Sequence, residues 1–178
     1  AISLTDQDQT IYVPELHTTA FTDTGRTLPE GNMPDIQRVT VTDRVYYENL
    51  VCDGRTYTVV GNVQYAKTDA NGNITESGAL VQNGQAVTNT VTFVPTSPNG
   101  YIDVEFSVNV SDIMAHEYNK IVVFEDPYYG PEGVVVAHHA DITNEEQTVN
   151  VPDMHTTALG MNGRHNVAAT ANTVINDT

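Results

Sequence analysis

The chain has 178 residues, more than one compact core needs and fewer than two full-sized domains, so one domain with incomplete pieces beside it is expected. Hydrophobic residues are 39% of it, and no apolar run reaches the roughly 18 residues of a membrane-spanning helix, which argues against an integral membrane protein. Twenty-three acidic residues against seven basic ones give a net charge of -16, which repels phosphate backbones and anionic lipid, so neither nucleic acid nor membrane insertion is expected.

Taken in chain order, the apolar residues recur with a period of two. In a first strand, Leu16, Thr18 and Ala20 share one face, and His17 and Thr19 share the other. Alternation continues in Val39–Thr42, Val45–Tyr47, Tyr57–Val60, Val91–Val94, Ile102–Val108, Ile121–Phe124, Val134–Ala137 and Thr148–Val151. Turn signals separate them: Asp53-Gly54, Asn71-Gly72, Asn83-Gly84, Pro98-Asn99-Gly100 and Gly130-Pro131. Only Ser111–His116 reads as a short helical turn. The pattern predicts an all-β fold, an antiparallel immunoglobulin-like β-sandwich without the Trp and paired Cys of antibody domains. Cys52 stands alone, so no internal disulfide is expected, and that by itself leaves the compartment undecided.

The chain also repeats itself. Gln9–Ala20 aligns with Gln147–Ala158 at an offset of 138, with eight of twelve positions identical. The match continues from Gly25-Arg26 to Gly163-Arg164, and Thr42-Asp43 resembles Asn176-Asp177 across a short gap. A period this long suits a tandem array of independently folding domains and not a solenoid, whose units are about 20–50 residues. The expected parse is the last strand of a preceding unit at 1–12, a complete unit at 13–150, and the head of a following unit at 151–178. The opening AISLTDQ has neither a basic nor an apolar leader segment and reads as cut from a longer chain.

Several polar residues stand where burial is expected. Thr18 faces the core side of the first strand, and Gln147 begins the last strand on the side of Val149 and Val151. A buried hydroxyl or amide needs a partner, which ordinary hydrogen bonding can supply. Asp43 follows Val39–Thr42 and Glu125 follows Ile121–Phe124. If both are buried together they would share a proton and raise one apparent pKa; if not, they are solvated strand-end acids. His138, His139, Asp141 and His17 are metal-ligand types, but adjacent histidines on a strand point to opposite faces. Asp69–Asn73 has a faint calcium-loop spacing without the closing Glu, and reads as a hairpin turn. No nucleotide-binding glycine loop or nucleophile elbow is present.

Four ordered motifs carry a family resemblance: Pro14–Ala20, Thr42–Leu50, Val122–Glu125, and Val136–Ile142 with Gln147-Thr148-Val149. Together they resemble the VaFE repeat of Gram-positive surface adhesins, the threonine–glutamine ester-bond domains. The resemblance implies an autocatalytic ester between Thr18 as nucleophile and Gln147 as electrophile, with Asp43 and Glu125 as the acidic pair and His139 assisting. Where the family often has Asp three residues before the reactive Gln, this chain has Asn144; the preceding unit's tail has Asp6 before Gln9. The resemblance also implies a stalk module of a cell-wall-anchored, extracellular protein. It forms its bond once, so it is not a turnover enzyme, and needs no cofactor or metal. Expected partners are neighbouring repeats, with end-to-end self-association through Gln9 and Thr156. Three rivals remain open at this point. One is a ligand-binding module, for which only Tyr128-Tyr129 looks loop-borne. Another is an isopeptide domain using Lys67 or Lys120, and the last a metal-dependent hydrolase using His138 or His139.

Overall fold

The computed structural model describes residues 14–28, 38–129, 134–135, 140–152, 158–160 and 175–177. In chain order its strands are β1 (Glu15–Phe21), β2 (Arg38–Glu48), β3 (Tyr57–Thr68), β4 (Ile74–Ala79), β5 (Val81–Gln82), β6 (Gln85–Ala86), β7 (Thr88–Phe93) and β8 (Gly100–Asn109). After the short helix α1 (Val110–Ala115) come β9 (Lys120–Tyr129), β10 (Val134–Val135), a 3-10 turn (Glu145–Gln147), β11 (Thr148–Asn150), β12 (Ala158–Gly160) and β13 (Ile175–Asp177). One sheet has the order β1-β2-β8. The other has the order β10-β9-β3-β4, with β7 also paired to β3 and β11 to β9. All of these pairings are antiparallel.

Alternation decides which side chains meet between the sheets. Val39, Val41 and Val45 of β2 and Val104, Phe106 and Val108 of β8 are buried against Val59 and Val63 of β3 and Ile121 and Val123 of β9. The layers come close at Gly61, where a Cβ would fall 2.5 Å from Phe106 Cζ and 3.4 Å from Val104 Cγ1. Only a residue without a side chain lets the Phe106 ring sit there. Turn chemistry follows the sequence: Asn83 and Gly84 both take positive φ, 53° and 75°, between β5 and β6, as a tight two-residue hairpin requires. The expected hairpin at Asp69–Asn73 closes through Asp69 N–H to Asn73 O at 2.9 Å.

The first and last strands of the sandwich run the same way. Leu16, Tyr47, Tyr57 and Pro127 line one small apolar pocket, so the starts of β1 and β3 and the far ends of β2 and β9 share one end of the molecule. β11 is antiparallel to β9 and pairs with its first residues, Lys120–Val122, so it runs away from that end, as β1 does. Beyond β1, Arg26–Leu28 lies directly beside β11 in parallel. Leu28 N–H donates to Asn150 O, and Asn150 N–H donates to Arg26 O, both at 2.9 Å.

Three expectations about elements need correction. Asp43 and Glu125 do not end strands: β2 and β9 run straight through them, because the backbone ladder continues at Asp43↔Val104 and Gly61↔Glu125. Gln147 is not the first residue of the last strand but the end of the 3-10 turn before it. Tyr128 and Tyr129 are not loop-borne; they pair with Thr58 and Tyr57 inside β9.

Candidate functional site

Each of four polar residues occupies a place that the period of two would give to a hydrophobic one. Asp43 stands in the inward row Val39, Val41, Val45 of β2, and Glu125 in the inward row Ile121, Val123 of β9. Thr18 lies between Leu16 and Ala20 on the inner face of β1, and Gln147 is turned inward by the 3-10 turn. Exposure is 2% for Thr18, 0% for Asp43, 1% for Glu125 and 0% for Gln147, so water does not solvate them.

Register brings the two carboxyl-bearing strands to the same spot from opposite layers. Asp43 pairs with Val104 on one side and Ala20 on the other. Glu125 pairs with Gly61, whose inward direction points at Val104 and Phe106. Thr18 pairs with Val45, one inward step along β1 from Ala20, the partner of Asp43. The 3-10 turn that carries Gln147 packs against both β1 and β9. Residues from the first strand, the last strand and one strand of each sheet thus face one dry interior.

The electrostatics of this interior are unusual. Burial, with a smaller contribution from the Asp103 carboxylate, pushes Asp43 up from its ordinary 3.8 to about 7. Asp103 itself lies on the other face of that sheet, in a two-point ion pair with Arg44 at 2.7 and 2.8 Å. Seven buried side-chain polar atoms have no hydrogen-bond partner among the described residues: Thr18 Oγ1, both oxygens of Asp43, both of Glu125, and Nε2 and Oε1 of Gln147. Native interiors leave few such atoms, each costing about 1–3 kcal/mol, so a cluster confined to four residues calls for a chemical reason.

A family profile described as the T-Q ester bond containing domain matches residues 14–151. The chain belongs to that family. The fold of this T-Q ester bond domain is similar to two crystal structures of a bacterial adhesin from Mobiluncus mulieris containing intramolecular disulfide, isopeptide and ester bond cross-links. Against one the TM-score is 0.61 at 15% identity, and against the other 0.62 at 16%. Each alignment covers 83% of this chain and 60% of the adhesin chain, so the domain spans well under two thirds of the structures it matches. A comparison with curated proteins finds no match.

Of the residues expected to carry the chemistry, Thr18, Asp43, Glu125 and Gln147 are the buried ones, and His139, like His138, lies outside the described residues. Thr19, the neighbouring threonine, is only half-buried and pairs with Arg44 on the outward phase. His17 also faces outward, stacked on Tyr46 with ring centroids 4.7 Å apart. Among the described residues no group of three or more His, Cys, Asp or Glu is placed to hold a metal. Lys67 and Lys120 are engaged with Glu76 at 3.7 Å and Glu145 at 3.1 Å on the surface, away from the dry interior an isopeptide site needs.

Sequence reasoning noted Asn144, where the family often has Asp, but missed Thr148 beside it as a support of the site in the T-Q ester bond domain. Thr148 is 2% exposed and donates its hydroxyl to the Asn144 carbonyl at 2.7 Å, and Asn144 Oδ1 accepts the Glu146 N–H at 2.9 Å. The available signal was a capping residue three positions before Gln147 and a hydroxyl one position after it.

Proposed function

We propose that this T-Q ester bond domain is a load-bearing stalk module of a bacterial surface adhesin, welded by an ester between Thr18 and Gln147. The observation that carries this reading is the set of unpartnered atoms. Condensation removes the hydroxyl hydrogen of Thr18 and both amide hydrogens of Gln147, leaving an ester with nothing to donate and so no need of an acceptor partner. In the step, Thr18 Oγ1 bonds to the Gln147 side-chain carbonyl carbon, the carbon–Nε2 bond breaks, and the hydroxyl proton goes to the nitrogen, which leaves as ammonia.

Thr hydroxyl is a weak nucleophile and a primary amide a poor electrophile, so the reaction needs proximity, carbonyl polarisation and a proton acceptor. Folding supplies the proximity. With one proton between them, Asp43 and Glu125 supply an acid that donates to the Gln147 carbonyl oxygen and a carboxylate that accepts from the Thr18 hydroxyl, and the raised Asp43 pKa of about 7 supports a retained proton near neutrality. His139, placed here by the family resemblance, would relay a proton to the departing ammonia. The bond forms once per chain, so nothing turns over.

The mechanical role rests on direction. With β1 and β11 parallel, chain entry and exit lie at opposite ends, and a pull shears the two strands past each other. An ester at Thr18 and Gln147 diverts that load across the gap and leaves everything between them unloaded. The tandem parse has its own support. Ala158 pairs with Asp177 in β12–β13, which repeats the Ala20↔Asp43 pairing, so 151–178 reads as the first two strands of a following unit. On this reading 1–12 closes a preceding unit, the array is extracellular and wall-anchored, and its partners are neighbouring repeats or further copies joined end to end.

Intact mass tests the proposal. The native chain is expected one ammonia below its sequence mass, and Thr18→Ala and Gln147→Ala chains at their full masses. A native chain at full mass overturns the reading.

A further inference from the structure

The Gln147 amide is wholly buried, and neither of its polar atoms has a hydrogen-bond partner among the described residues. Among the described residues no hydrogen bond fixes where its carbonyl points, so its aim depends on packing and on the backbone beneath it. That backbone is held by a short chain of bonds. Asn144 Oδ1 accepts the Glu146 N–H at 2.9 Å, the Thr148 N–H closes on Glu145 O, and the Thr148 hydroxyl donates to the Asn144 carbonyl at 2.7 Å. Upstream, the Asn144 N–H donates to Asp141 O at 3.0 Å, and Thr143 donates its N–H and hydroxyl to Asp141 Oδ1 at 2.9 and 2.7 Å. Thr148 is the buried member, and its neighbour in the ladder, Val122, offers no side-chain partner.

We propose that Thr148 is a positioning residue for the ester: its buried hydroxyl locks the Asn144–Thr148 turn and so aims the Gln147 carbonyl at Thr18. This rests on the ester reading and adds to it a residue that touches neither reacting atom. The internal repeat carries the same residue types, since Gln9-Thr10 matches Gln147-Thr148 and Asp6 stands where Asn144 does. Asp and Asn cap equally well, so the exchange of one for the other keeps the lock. A misaimed carbonyl is costly to the rate, because a displacement of about 1 Å lowers it on the order of 100-fold.

The test follows ammonia loss by intact mass in the full chain, sampled after cell-free synthesis, across a range of pH. Thr148→Val keeps the shape and loses the donor; it is expected to slow the reaction about 10–100-fold at every pH without moving the pH midpoint. Thr148→Ser is expected within about threefold of the native rate. A change that merely loosened the fold would admit water to the carboxyls and move the midpoint. If Thr148→Val does not fold, Thr148→Ala slowed with Thr148→Ser near the native rate supports the same lock. Thr148→Val, or Thr148→Ala in its place, reacting as fast as the native chain overturns the lock alone; a native chain that never loses ammonia overturns the ester itself.

Discussion

A carboxyl at 0% exposure in a row of valines makes the chemistry of Asp43 depend on pH. Its pKa is about 7 in the folded domain against an ordinary 3.8, so folding takes up a proton between those values. Its contribution to stability is therefore fully present below about 3.8, falls as pH rises, and is lost once pH passes about 7. The gap corresponds to about 4 kcal/mol as an upper bound. In a Thr18→Ala background, which cannot form the ester, chemical denaturation at pH 4 and pH 8 is expected to give a markedly more stable domain at pH 4. Adding Asp43→Asn is expected to flatten that dependence; an unchanged slope would mean that Asp43 is not the group responsible. On the proposed mechanism, ester formation in the native chain should slow as pH rises through about 7, since the proton proposed to polarise the Gln147 carbonyl is then lost.

At the scale of elements, the close approach of the layers at Gly61 constrains the site. Gly61→Ala places a methyl 2.5 Å from Phe106 Cζ, so the ring must shift or the sheets part. The expected cost is about 1–3 kcal/mol, read by urea denaturation in the Thr18→Ala background, and a cost near zero would show that the ring has room to move. The strands were readable wherever alternation was uninterrupted, as in Ile102–Val108, which lies within β8. At Asp43 and Glu125 the sequence leaves a buried pair and solvated strand ends both open, because a charged residue on an inward phase looks like the end of burial, and only the ladder pairing to Val104 and Gly61 reveals that the strand goes on. The turn before β11 was also illegible, because Asn144-Glu145-Glu146 has no apolar period and its structure depends on a cap and one buried hydroxyl. The candidate residues themselves were legible through the family motifs; their lack of hydrogen-bond partners was not, because satisfaction depends on three-dimensional neighbours.

For the whole molecule, the proposed ester would turn the sandwich into a closed loop. By the chain-entropy relation used for disulfides, closing a loop of about 130 residues is worth about 5 kcal/mol. Thermal unfolding of Gln147→Ala is accordingly expected well below that of the native chain, and equal midpoints would argue that no link constrains the native domain. Under force the difference should be larger than at equilibrium, since in the proposed stalk parallel β1 and β11 would lie on the load path and the ester would bypass the rest of the fold. The most direct measurement is tandem mass spectrometry of a protease digest of the native chain. The account predicts one branched peptide pair, joined through Thr18 and Gln147 and lighter by one ammonia than the two peptides together. Separate peptides with Gln147 intact, or a junction at any other residue, would contradict it.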